Sequence, residues 1–271
     1  MRRKLSKLVQ MRRLVFVLFF LTGLVLSPEI GAQATSTHEI TVSAAISLKD
    51  AFEEMGRTFT EKHPGTKVLF NFAGSGALSR QIEAGAPVDV FASAAQKDMN
   101  DLDQKGMIIK GTRKDFARNS LVLITPAKSA IQLTSLNDLR RGEIQKIAIG
   151  NPKTVPAGRY AEEALRYFKL WDGLKGKLIF AENVRQVLDY VVRGEVDAGM
   201  VYSTDALVRA KEVKIVSEAP IESHQPIIYP IAIVKGSKKE GLAKEFIDVV
   251  TSREGEKILE RYGFRLSGQR K

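Results

Sequence analysis

Short β-branched runs alternate with segments of helical period along most of this chain. Residues 40–44 (ITVSA) read as a strand. Residues 47–62 follow as a helix, with Leu48, Ala51, Phe52, Met55 and Phe59 on one face. His63-Pro64-Gly65 ends that helix with turn chemistry. The same reading predicts strands at 67–72, 88–92, 121–124, 146–149, 177–180 and 198–202. It predicts helices at 77–84, 95–105, 157–168, 184–193, 242–251 and 254–262. Gly85 and Gly194 stand where two of these helices stop. Residues 227–234 pattern as a strand containing Pro230. A residue without an N–H belongs at a sheet edge or a crossover. Repeated βα alternation implies an α/β fold with mostly parallel sheets. No heptad, low-complexity tract or short repeat breaks it.

The first 34 residues depart from this pattern. Arg2, Arg3, Lys4, Lys7, Arg12 and Arg13 precede an uncharged apolar run at 14–26, and Ala32-Gln33-Ala34 follows. This is the layout of a secretory signal peptide, with cleavage expected after Ala34. The run is shorter than the roughly 20 residues of a spanning helix, so it reads as a signal rather than a retained anchor. Met11 offers a second start, and the greasy run favours the general secretory route over the twin-arginine one. The remaining 237 residues suffice for two lobes of ordinary size.

Removing that segment changes the charge. It holds six of the 42 basic residues and one of the 31 acidic ones, so the remainder carries +6 rather than +11. A mildly basic surface suits an anionic ligand. The mature part has no dense Lys/Arg stretch interleaved with aromatics, which argues against nucleic-acid binding. There is no cysteine. Disulfides, thiolate catalysis, Cys-ligated zinc and a lipoprotein anchor are thereby excluded.

Candidate chemistry gathers at four places where a strand leads into a helix through small or capping residues. In Ala44-Ala45-Ile46-Ser47-Leu48-Lys49-Asp50, Ser47 is placed as an N-cap and Asp50 completes a capping box. In Phe72-Ala73-Gly74-Ser75-Gly76-Ala77, two glycines allow close approach of backbone to a ligand. Val155-Pro156-Ala157-Gly158 puts proline in the first turn. In Glu182-Asn183-Val184-Arg185, Asn183 is the cap. Each start has N–H groups without intrahelical acceptors and a dipole that favours negative charge. Structural capping explains any one of them alone. Together they suggest an oxyanion held by neutral donors.

Other chemistries fail on residue content. Gly74-Ser-Gly-Ala-Leu-Ser79 lacks the third glycine of a dinucleotide fingerprint, and no GxxxxGK[ST] loop exists. Ser75 has Ala73 and Ala77 where a nucleophile elbow needs glycines. His38, His63 and His224 have no ligand spacing and read as exposed loop histidines. Asp89 reads as a carboxylate that caps backbone, with no second acid placed for acid–base work. A secreted hydrolase using Ser47 or Ser75 would therefore lack a base. The ligand-sensing domain of a transcription regulator would have neither an export signal nor a reason for one.

The stretches AAISLKDAF, NFAGSGALSRQIEAGAPVDVFASA, GNPKTVPAGRYAEEAL, AENVRQVL, GMVYSTDA and RYGF resemble, in order, the periplasmic molybdate-binding proteins of ABC transporters. The resemblance implies a type II periplasmic-binding fold: two α/β lobes joined by two crossover strands, with a ligand cleft between them. Residues 35–118 plus 228–271 would form lobe I and 119–227 lobe II, with crossovers near 119–126 and 229–235. It implies a non-enzymatic binder without a cofactor, working as a monomer in the periplasm. Molybdate or tungstate would be the ligand, delivered to a permease with its cytoplasmic ATPase. Ser47 and Ser75 would give hydroxyl and backbone N–H, Ala157 and Val184 backbone N–H, and Tyr202 its phenol. The metal atom would be held only through its oxygens. Sulfate or another small tetrahedral oxyanion is the alternative ligand. The FAGSGA loop has glycines where some relatives have serines, which bears on affinity.

Overall fold

A computed structural model describes residues 38–267. The signal segment, its cleavage point and the alternative start at Met11 lie outside the described residues. Strand β1 (His38–Ala45) pairs in parallel with β2 (Thr66–Ala73) and β3 (Val90–Ala92). Helices α1 (Lys49–Lys62) and α2 (Ser75–Glu83) make the crossovers, and α3 (Gln96–Gln104) follows β3. After β4 (Lys114–Arg118) the chain enters a second sheet with β5 (Leu121–Pro126) and β6 (Ile147–Gly150). Helix α4 (Pro156–Tyr167), the short α5 (Trp171–Leu174) and β7 (Leu178–Ala181) come next. Helix α6 (Val184–Val192), β8 (Ala198–Tyr202), α7 (Ser203–Val208) and β9 (Val213–Glu218) complete that lobe. The chain returns through β10 (Ile228–Ile233) to α8 (Glu240–Val250), α9 (Arg253–Arg261) and β11 (Arg265–Leu266).

The first sheet has the order β11-β4-β10-β3-β1-β2 and the second β7-β6-β8-β5-β9. Both are mixed, which corrects the expectation of mostly parallel sheets. The parallel part of each is the βα-wound part. β10 runs antiparallel to β3 and β4, and β5 antiparallel to β8 and β9, because the chain re-enters each sheet from the other lobe. Of the two places expected for Pro230, an edge or a crossover, it takes the crossover. It sits in β10, inside the first sheet, where a register shift at Tyr229/Pro230 against β4 absorbs the missing donor. The Pro230 carbonyl still accepts from Ser93 N–H at 2.9 Å.

The helical stripe read from the sequence does pack. Phe52 and Phe59 of α1 meet Phe246 of α8 edge to face at 5.9 and 5.6 Å, and Phe52 lies 5.9 Å from Phe116 of β4. This aromatic cluster forms part of the core of the first lobe, and Leu78, Phe91, Met99 and Leu102 form another part. Leu123, Ile147, Ile149, Val187 and Val201 lie in the core of the second, all without meaningful exposure. Among the described residues no helix is long and apolar enough to cross a membrane.

Candidate functional site

The parallel strands of both sheets deliver their helix starts to one place, as open α/β sheets do at the carboxyl ends of strands. β1 leads to Ser47, β2 to Ser75, β7 to Val184 and β8 ends at Tyr202. β6 leads through a short loop to Ala157. All five residues line a single small cavity, with Ala45, Ile46, Ala73, Gly74, Ala94, Val155 and Pro156 filling the rest of its wall. Its volume is about 10 Å³, room for about one water. That is below the ~300 Å³ at which pockets for ordinary organic ligands begin. No Lys, Arg, His, Asp or Glu lines it.

Local structure explains the donors. Ser75 is the first residue of α2 and Ala157 the second of α4, after Pro156. Val184 is the first of α6. Their N–H groups precede the first intrahelical acceptor. Asn183 caps α6 as expected, accepting from Gln186 N–H at 3.0 Å. Ser47 does not cap. Its turn is a 3-10 segment, Ile46–Leu48, that begins after Ala45 and runs into α1, and no side chain caps it. The capping-box reading of Ser47 and Asp50 is thus wrong. The Ser47 hydroxyl instead lies 3.1 Å from the Tyr229 hydroxyl, and Asp50 pairs with Arg185 at 2.6 Å.

The hydroxyl of Ser75 accepts from Ala94 N–H at 2.9 Å. An oxygen occupied as an acceptor leaves its own hydrogen for the cavity. Tyr202 is fully buried, and burial pushes its phenol well above the usual range, so it stays a neutral donor. It reaches Ala94 O at 3.4 Å, a weak bond that an anion can replace.

The two glycines around Ser75 have a further role that local pattern does not show. They admit the other lobe, and Gly74 also lines the cavity. A Cβ on Gly74 would stand 3.0 Å from Thr154 O, and one on Gly76 2.8 Å from the same oxygen. Gly76 N–H donates to Thr154 O at 3.0 Å, backbone to backbone across the cleft.

Two ion pairs also cross it, and the sequence reading named neither. Arg159, two residues beyond Ala157, pairs with Asp98 of α3. Arg185, next to Val184, bridges Asp50 of α1 and Asp205 of α7, at 2.6 and 2.5 Å. Burial raises the pKa of Asp98 and of Asp205, opposed by the neighbouring guanidinium in each case. The available signal was an arginine just inside two cavity-lining helix starts. Its partners lie 61 and 135 residues away in sequence, beyond the reach of local pattern.

The remaining candidates lie elsewhere. Asp89 is buried and accepts from Thr41 N–H at 2.8 Å and Ser237 hydroxyl at 2.5 Å, a structural carboxylate in the first lobe. His38 is exposed but lies in β1 rather than a loop, and the two loop histidines are half-buried. His63 stacks on Phe59 at 4.2 Å and faces Glu245 at 3.0 Å. His224 packs 5.7 Å from the Tyr160 ring. Among the described residues no three His, Asp or Glu side chains cluster to hold a metal ion.

Two lobes on separate sheets, with a small donor-lined cavity between them, define a solute-binding architecture. Residues 40–265 match the bacterial extracellular solute-binding protein family, and the chain belongs to it. It is 44% identical over 225 residues to the putative ABC transporter substrate-binding lipoprotein YvgL of Bacillus subtilis, covering 83% of this chain and 85% of that one. It is 39% identical over 241 residues to the molybdate-binding protein ModA of Haemophilus influenzae, covering 87% and 93%. Among solved structures, the periplasmic molybdate-binding protein of Azotobacter vinelandii superposes with a TM-score of 0.76 at 27% identity, over 84% of this chain and 99% of that one. The fold is the type II periplasmic-binding fold.

Proposed function

We propose that this protein captures molybdate or tungstate between its lobes and delivers it to an ABC permease driven by a cytoplasmic ATPase. The observation that carries the reading is the cavity itself. Ser47, Ser75, Ala157, Val184 and Tyr202, from five strand ends on two sheets, converge on one small cavity without a charged side chain, and all offer neutral donors. Hydrogen bonds to a charged acceptor contribute about 1.5–3 kcal/mol each. Several of them offset the dehydration of a dianion without a lysine or arginine that must be unpaired on release. The names of the relatives agree with this ligand. We assign lobe I to residues 35–118 plus 228–271 and lobe II to 119–227, on the two points where the chain changes sheet. The chain would work as a monomeric binder and not as an enzyme. It would act in the periplasm after cleavage behind Ala34.

Molybdate at 100-fold over Kd is expected to stabilise the protein by about 2.7 kcal/mol. For a chain of this size that raises the melting temperature by about 5–10 °C. A thermal-shift panel of oxyanions checks this. No shift with molybdate or tungstate would sink the reading, and a larger shift with sulfate would reassign the ligand. Ser75→Ala should weaken molybdate binding by about 10- to 100-fold in titration calorimetry, for one lost charge-assisted bond. An unchanged affinity would remove Ser75 from the site.

A further inference from the structure

We infer that Asn119 and Tyr229 are positioning residues that fix the Ser47 hydroxyl as a donor toward the cavity. This rests on the oxyanion reading above.

Asn119 lies between β4 and β5, where the chain first crosses between the lobes. Its Oδ1 accepts from Ser120 N–H at 3.0 Å and from the Ser203 hydroxyl at 2.9 Å. A backbone N–H can only donate, so that contact identifies the oxygen and leaves the amide nitrogen on the other side. Nδ2 donates to Thr204 Oγ1 at 2.9 Å and to the Tyr229 hydroxyl at 3.1 Å. An NH₂ group has no lone pair to offer. The Tyr229 oxygen is therefore an acceptor, and its single hydrogen must go elsewhere.

The other partner of the Tyr229 hydroxyl is Ser47 Oγ at 3.1 Å. Taken alone, either oxygen of that pair could donate. With Asn119 in place, Tyr229 donates and Ser47 accepts. The hydrogen of Ser47 is then left for the cavity that Ser47 lines. Ser75 is oriented in the same way by Ala94 N–H. Both serines thus accept from a group whose own direction is fixed, and both have a hydrogen to give an anion. Tyr229 has no exposure. Burial and the nearby Asp205 charge hold its phenol protonated. The relay is built from both crossings, Asn119 on the way out and Tyr229 of β10 on the way back. It is anchored on α7 of the second lobe.

The test is titration calorimetry with sodium molybdate on single and double variants. Tyr229→Phe should weaken binding about 10-fold, and should add nothing further to Ser47→Ala. Asn119→Asp should lose more, about 30- to 100-fold, because an acceptor-only carboxylate reverses the chain. Tyr229 would then donate to the carboxylate and accept from Ser47, which would turn a lone pair toward the anion. Adding Tyr229→Phe to Asn119→Asp should recover affinity to the level of Tyr229→Phe alone. A carboxylate acting through space would give no such recovery, and that outcome overturns the relay. Equal losses from Tyr229→Phe with and without Ser47 would also overturn it. That second cycle stands even where Asn119→Asp folds poorly. A wild-type chain that fails to bind molybdate would instead refute the ligand assignment.

Discussion

An alanine at Gly158 is expected to lower stability by about 3 kcal/mol, the upper end for overpacking, and to abolish measurable anion binding. Its Cβ would lie 2.0 Å from Gly150 O, 2.5 Å from Gly150 C and 3.0 Å from its Cα. All three are backbone atoms at the end of β6, so no rotamer change relieves the overlap. The first turn of α4 must withdraw from the strand. Gly150 is equally confined on its other side, where a Cβ would meet Val155 Cγ1 at 2.4 Å. The strand end and the helix start therefore form one close-packed unit, and Ala157 N–H is placed by it. Melting temperature should fall by about 6–12 °C for that loss in a chain of this length. Thermal denaturation with and without molybdate is the measurement. A variant that melts and binds like the parent would show that this contact does not set the helix start.

Gly76→Ala should separate binding from folding. The added Cβ would stand 2.8 Å from Thr154 O and 3.1 Å from its C and Cα, again backbone, but in the other lobe. Neither lobe is internally disturbed. Alanine is even favoured over glycine within a helix, by about 1 kcal/mol. The cost falls on closure alone. An overlap of this kind costs about 1–3 kcal/mol, which is roughly 5- to 150-fold in Kd. Unliganded thermal stability should be unchanged or slightly higher while calorimetric affinity drops. Retained affinity would mean the lobes need not approach as closely as Gly76 N–H and Thr154 O do here.

The contrast between these two glycines shows what the sequence carried. Small residues at helix starts were legible, and so was their gathering at one place. Asn183 as a cap and Pro156 in the first turn followed from local preference and are found so. Ser47 did not follow, because its partner Tyr229 lies 182 residues on and overrides the local capping pattern. The same holds for Asp50, drawn to Arg185. Strands β4 and β9 escaped the periodicity reading. KDFAR and VKIVSE are short, charged and partly exposed, and pairing with crossing strands rather than their own pattern makes them strands. Pro230 does mark the returning crossover strand, but only the register shift shows how an interior strand accommodates it.

The sheet order also has a consequence for synthesis. The second sheet is assembled from one continuous stretch, β5 to β9. The first is completed only by β10 and β11, from the last part of the chain, and β10 stands between β3 and β4. As the polypeptide emerges from its N-terminus, the second lobe has all its strands while the first still lacks an interior one. Ser47 and Ser75 therefore belong to an unfinished sheet until residue 233 has been made. For most of the chain's synthesis the cavity lacks a finished wall from the first lobe.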